Sequence, residues 1–363
     1  MKKIGIITIH YNCNYGAVLQ TYALQETLCE YGFEAEIINY INDIDKRRLD
    51  LFGEGFIRNM RTLLSLRRKI RRIKGFKNFI FNRYNLSSVT VYNPNQLSEY
   101  LFDYDVYITG SDQTFNLLLY DNPEISKPYF LPFVSNAKKI SYASSCGEKI
   151  SVFPPEIKDW MKKALSSYNQ IAVRENTTAD FIASLGIAHP LTVLDPTLLI
   201  TKSKWDTLAI PTKYPANSYI LFYSVLSDSW VIKEVKKIAK KYNLKVVVPH
   251  LMNKFETFSG FTRADDCSPE EFLSLVRNAA FVCTTSFHGT VFSVLYEKNF
   301  VSFVLGEGNR IKSLLNSLDL SDRIISNERD KAEEIINKDI NYEAVNDKLT
   351  KLRETSLQYL KNI

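Results

Sequence analysis

The chain begins with an alternation of apolar runs and helical patterns. Residues 1–9, two lysines ahead of a β-branched run, read as a buried first strand ending in a polar turn. In NYGAVLQTYALQETLCEYG the apolar residues Val18, Leu19, Tyr22, Ala23 and Leu28 recur at helical spacing, and Gly32 closes the helix as a C-terminal cap. Residues 33–40 predict a second strand. Strand, helix and strand in this order make a βαβ unit with a right-handed crossover, the opening of a doubly wound sheet.

After residue 83 the pattern resumes. YDVYITGSDQ predicts a strand over 104–109 ending in a turn of Gly110, Ser111 and Asp112, and AKKISYASSCG predicts a strand with small polar residues at its carboxyl end. NQIAVREN is a strand with Arg174 and Glu175 at its exit, followed by a helix over 177–185, and LTVLDPT closes this half. A second series starts near Lys204. Strands in YILFYSV, LKVVVPH, AFVCTTSFHG and FVSFVLG alternate with helices over 229–242, 269–278 and TVFSVLYEKN, and residues 342–360 read as a terminal helix.

The chain's 363 residues exceed one ordinary core, so two lobes are expected. We place an N-terminal lobe at 1–200 with a basic insertion at 46–83, a C-terminal lobe at 201–330, and a helical segment at 331–363. Apolar content of 45% and charged content of 24% are those of a globular protein. The 21 Tyr and 22 Phe suit large buried surfaces and a carbohydrate-binding cleft. His10, Tyr11, Asn12 and Asn14 interrupt the first apolar run too early for a secretory signal, and no stretch reaches the length of a membrane span, so the chain is expected to be cytoplasmic. Five scattered cysteines without CxxC spacing read as free thiols, with Cys13 in a loop where a reactive thiol is conceivable.

Charge is uneven. The net charge is +6, yet residues 46–83 alone hold thirteen Lys/Arg against Asp50 and Glu54. RRKIRRIK reads either as a solvated helical face or as a surface for anionic lipid headgroups or a diphosphate-linked acceptor, with peripheral contact at the inner face of a membrane. No nucleic-acid-binding module accompanies it, so nucleic acid is not expected as a partner.

The ordered strings GIITIHYNCNYGAVLQTYALQ, GSDQTFN, SYASSCG, VREN, LDPTLL and TTSFHGTVFSVLYEKNF resemble the polysaccharide pyruvyltransferase family over roughly residues 3 to 320. The resemblance implies two Rossmann-like lobes facing across a cleft, similar to the B-type glycosyltransferases. It also implies phosphoenolpyruvate as donor substrate, no further cofactor, and as acceptor a hexose of a bacterial surface polysaccharide or its lipid-linked precursor. The product would be a pyruvate ketal. Such chemistry needs a general acid, a base for the hydroxyls, and cations for the donor's carboxylate and phosphate.

His288 in TSFHG is the proposed acid, at a strand-to-helix junction where ligands bind in open α/β sheets. Backbone N–H groups of Gly289 and Thr290 are expected to face the donor there. Members of the family carry Arg-Leu-His or Arg-Phe-His at this point, whereas this chain has Ser286-Phe287-His288. Serine lacks the charged fork, so Arg310 in GEGNRIKSLL is the expected substitute. Arg174 matches the family's donor-contacting position, with a surface ion pair to Glu175 or Asp180 as the plainer reading. Asp112 is either the acceptor contact or base, or an N-cap. Asn14, Tyr15, Gly16, Gln113 and Asn116 are the expected acceptor contacts, Asn14 also being a good cap. Asp195 is expected to cap or brace. His10, His189 and His250 lie far apart, and Asp265-Asp266 would diverge, so no metal is expected. Two rival readings remain: a nucleotide-sugar glycosyltransferase of similar fold, and a degenerate glycan-binding homologue.

Overall fold

Among the described residues every strand pairing is parallel. A computed structural model describes residues 1–51, 66–100, 102–148, 150–226, 228–250 and 260–363. In the first half, β1 (Lys3–Ile7), β2 (Glu34–Tyr40), β3 (Leu86–Val91), β4 (Val106–Asp112), β5 (Lys138–Ser144), β6 (Gln170–Val173) and β7 (Leu191–Thr192) form one sheet in the order β3-β2-β1-β4-β5-β6-β7. In the second half, β8 (Tyr219–Tyr223), β9 (Lys245–Val248), β10 (Thr262–Arg263), β11 (Phe281–Thr284), β12 (Phe300–Phe303) and β13 (Ile324–Ile325) form another, ordered β10-β9-β8-β11-β12-β13. In both orders the strand first in sequence lies inside its sheet with neighbours on both sides, as in doubly wound sheets.

Parallel strands covered on both faces lose the alternation of half-exposed ones. Ile4, Ile6 and Ile7 of β1 are fully buried, as are Ile220, Leu221 and Phe222 of β8. Each such side chain contributes about 1.5–3 kcal/mol relative to exposure. The first helix, Tyr15–Glu30, starts where Asn14 accepts from the N–H groups of Gly16 and Ala17 at 2.9 and 3.3 Å. It ends at Tyr31, with Gly32 beyond it at φ 80°.

The chain divides into two units: residues 1–50, 80–200 and 350–363, and residues 51–79 and 201–349. Two expectations need correction here. Of the basic insertion, residues 66–79 belong to the second unit, not to the N-terminal lobe, and residues 52–65 lie outside the described residues. In the helix Leu66–Arg83, Arg68 pairs with Asp265 at 3.2 Å, Arg71 pairs with Asp266 at 2.9 Å and with Glu271, and Arg72 donates to the carbonyl of Pro249 at 3.0 Å. Gly75 sits so close to Ser268 that an added Cβ would lie 2.8 Å from the serine's own. The segment 331–363 is likewise no separate element. Its terminal helix, Tyr342–Lys361, begins in the second unit, where Asn346 donates to Glu297 at 2.9 Å. It finishes in the first, where Arg353 donates to the Leu198 carbonyl at 2.8 Å and Tyr359 to that of Ser141 at 2.9 Å. Among the described residues no helix is long and apolar enough to cross a membrane.

Candidate functional site

In an open parallel sheet the carboxyl ends of the strands are where side chains of separate strands converge. At this edge of the first sheet the convergence centres on Arg174, just past β6. Its Nη1 donates to Asp195 at 3.1 Å, its Nη2 to Asp112 at 3.3 Å, and its Nε lies 3.7 Å from Glu175. The arginine is 5% exposed and Glu175 and Asp195 are almost wholly buried. Burial alone would weaken the guanidinium's charge, but the three carboxylates outweigh it and hold its pKa above the ordinary arginine value. Of the earlier readings of Arg174, the ion pair with Glu175 is present but buried rather than at the surface, and it is shared with Asp112 and Asp195.

Asp112 occupies the last position of β4, where a turn was expected, and it caps no helix. Its φ of 69° is left-handed, a conformation non-glycine residues adopt mainly where the surroundings over-determine it. Ala143 near the end of β5 has φ 50°, beside a register shift between β5 and β6. These departures turn Asp112 toward Arg174 and let Ser145 N–H reach the Asp112 carbonyl at 2.9 Å. Asp195 also accepts from the N–H of Thr197 at 3.0 Å, the capping role expected of it.

Of the expected acceptor contacts, Gln113 and Asn116 are half-buried and bonded to each other, Asn116 Nδ2 donating to Gln113 Oε1 at 3.1 Å. Both lie over Gly147, whose φ of 81° and lack of a Cβ they require, since a Cβ would sit 2.7 Å from each. Asn14 is the helix cap described above, and the N–H of Gly16 is directed to it. Tyr15 is fully buried and packs in the core, so it presents no surface to an acceptor. Sequence reasoning passed over Tyr11 after β1, Tyr92 after β3, and Phe81. Phe81 and Tyr92 are 57% and 50% exposed, Tyr11 and Phe81 meet edge-on at 6.4 Å, and Lys46 lies over the Tyr92 ring at 4.9 Å. Tyr11 and Tyr92 follow strands and Phe81 lies on the helix Leu66–Arg83, positions that a composition count could not localise.

At the carboxyl edge of the second sheet, TTSFHG folds through its hydroxyls. Thr284 donates to the Tyr223 carbonyl at 2.6 Å and accepts from Ser286 N–H at 3.0 Å, while Thr285 Oγ1 accepts from the N–H groups of Val225 and Leu226. Ser286 is the N-cap of the helix Phe287–Leu295 and accepts from Gly289 N–H at 3.3 Å. The helix therefore starts before Gly289. Gly289 N–H is directed to its cap and Thr290 N–H bonds the Ser286 carbonyl at 3.0 Å, so these two groups do not face an anion as expected. Gly289 is required because a Cβ would fall 2.1 Å from Thr284 Oγ1, and Thr290 is buried against Ser302 at 2.8 Å. His288 is 6% exposed, its ring edge-on to Phe287 at 5.1 Å. Arg310, half-buried, lies in the first turn of the helix Asn309–Ser317, which follows β12, the neighbour of β11. His288 and Arg310 thus leave adjacent strands of one sheet.

The remaining histidines are dispersed. His10 is buried between the Thr8 carbonyl and Asn39, His189 is exposed beside Asp180, and His250 lies two residues past β9. Asp265 and Asp266 turn to different arginines. Among the described residues no group of three or more His, Cys, Asp or Glu is arranged to hold a metal ion. No disulfide joins the five cysteines, and burial raises the thiols of Cys146, Cys267 and Cys283, which favours their protonated, less reactive form.

Two parallel α/β sheets with polar carboxyl edges place this chain in the architecture of the B-type glycosyltransferases and their epimerase kin. S. aureus MnaA, solved together with UDP, superposes with a TM-score of 0.55 at 12% identity over 93% of this chain and 89% of that one. The Methanocaldococcus jannaschii UDP-GlcNAc 2-epimerase in complex with UDP-GlcNAc and UDP gives 0.52 at 11% identity over 93% of both. At such identities the likeness is one of fold. No curated protein sequence matches the chain. The model of the polysaccharide pyruvyl transferase family matches residues 14–306. The chain belongs to that family and is a transferase.

Proposed function

We propose that the protein transfers a pyruvyl group from phosphoenolpyruvate to two hydroxyls of one hexose in a polysaccharide or its lipid-linked precursor. The observation that carries this reading is the family match over residues 14–306. In the proposed sequence one sugar hydroxyl adds to C2 of the donor's enol while His288 protonates C3. Phosphate then leaves, and the second hydroxyl closes the ketal at the same carbon, its proton passing to the now neutral His288. Asp112, oriented by Arg174, accepts the hydroxyl proton. Arg310 and Ser286 hold the donor, and Gln113, Asn116, Tyr11 and Tyr92 contact the sugar. Asn14, Tyr15 and Gly16 form the start of the first helix, and Gly289 and Thr290 seat the His288 helix.

The reading is tested by phosphate release that depends on both phosphoenolpyruvate and a sugar acceptor, with UDP as the control ligand. Arg310→Ala should raise KM for phosphoenolpyruvate at least tenfold with a smaller change in kcat. UDP protecting the fold where phosphoenolpyruvate does not would transfer the assignment to a nucleotide-sugar enzyme.

For a lipid-linked acceptor, the exposed face of the helix Leu66–Arg83 offers Arg67, Ile70, Lys74 and Phe81, spaced so that they share one stripe. Each cation near an anionic bilayer contributes about 1 kcal/mol. Sedimentation with vesicles containing phosphatidylglycerol should capture the protein at low salt, and Arg67→Glu with Lys74→Glu should release it. Equal capture by neutral vesicles would remove the membrane from this reading.

A further inference from the structure

A cavity of about 280 Å³ opens at the amino edge of the first sheet, the end away from Asp112 and Arg174. Its floor is built by an unusual strand glycine. A Cβ on Gly5 would fall 2.4 Å from the Tyr104 ring, so only glycine lets that ring lie flat on β1. The Tyr104 hydroxyl donates to Glu36, which fixes both groups. Phe102 stacks on Tyr104 at 5.9 Å with an interplanar angle of 13°, and Tyr100 follows at 6.3 Å from Phe102, 37% exposed at the rim. Around this aromatic ladder stand Glu34, Glu36 and Asp103, with Lys3 as the one cation among the lining residues, 3.3 Å from Asp103.

Ionised carboxylates only accept hydrogen bonds, so they suit a ligand rich in donors. Three of them against one lysine disfavour an anion. Ring faces supply apolar contact for the C–H surface of a pyranose, and the volume lies at the lower end for ligand pockets, enough for one or two sugar rings. We infer that this cavity is a second saccharide site, taking a neutral or amino-bearing sugar unit stacked on Tyr100 and Phe102 with its hydroxyls or amine directed to Glu34 and Glu36. It stands independently of the phosphoenolpyruvate reading. Holding one unit of a polymer would raise the effective concentration of the rest without taking part in the chemistry.

Saturation-transfer NMR on the full chain, with glucosamine, N,N′-diacetylchitobiose and glucuronate as probes, reads the site directly. We expect signal from the first two and at least fivefold less from glucuronate. Tyr100→Ala with Glu34→Gln, both exposed positions, should lower the chitobiose signal at least threefold while leaving the melting temperature and the phosphate release with a monosaccharide acceptor unchanged. Equal signal from glucuronate, no signal from any probe, or an undiminished signal in the double variant would overturn the inference. Loss of phosphoenolpyruvate turnover in the wild type would sink the transferase chemistry and leave this binding result standing.

Discussion

Replacing His288 by alanine is expected to lower phosphate release from phosphoenolpyruvate with the correct acceptor by about 10²–10⁴-fold, the range typical of a lost general acid. The side chain is 6% exposed and starts a helix whose cap, Ser286, and seat, Gly289 against Thr284, do not depend on the imidazole. The variant should therefore keep its fold. His288→Gln, which retains bulk and a donor, should be as inactive, since the amide cannot deliver a proton. Near-normal turnover in either variant removes His288 from the chemistry, whatever the thermal stability.

Arg174→Met should destabilise the chain by about 3–5 kcal/mol, because removing one partner of a buried ion cluster leaves the others uncompensated. The remaining carboxylates of Glu175 and Asp195 are 0% and 1% exposed. In the variant these buried acids favour their protonated forms in the folded state. The folded chain then binds more protons than the unfolded one, so its stability falls as pH rises through the acids' range. Denaturant melts at pH 5 and pH 8 should show the deficit growing at the higher pH. An arginine that only gripped the donor would instead leave the melts unchanged and weaken phosphoenolpyruvate binding. A pH-independent deficit would refute the carboxylate account.

Strands with continuous buried apolar runs were legible because no competing pattern interrupts them, as in Lys3–Ile7 and Tyr219–Tyr223. β3 was not, since LSSVTV carries three hydroxyl residues and lies at the sheet's edge, and β7, β10 and β13 are only two residues long. The site was legible by position rather than by role. Strand exits at Asp112, Arg174 and His288 could be read, but the grouping of Arg174 with Asp112 and Asp195 joins residues 62 and 21 positions apart. One helix start was displaced: the Ser286 cap starts its helix at Phe287, two residues before the expected start near Gly289. The acidic partners of the RRKIRRIK helix lie nearly two hundred residues downstream, beyond any local pattern.

The interleaved path of the backbone has a practical consequence for dissecting the protein. A fragment ending at residue 200 would carry Arg68, Arg71 and Arg72 stripped of Asp265, Asp266 and Glu271, and would lack the tail that donates to Leu198 and Ser141. The complementary fragment would keep Asp265 with Arg263, but would hold Asp266 and Glu271 without Arg71 and a C-terminal helix without its contacts to Leu198 and Ser141. Neither half is a self-sufficient folding module, so excised halves should misfold or reassociate when mixed.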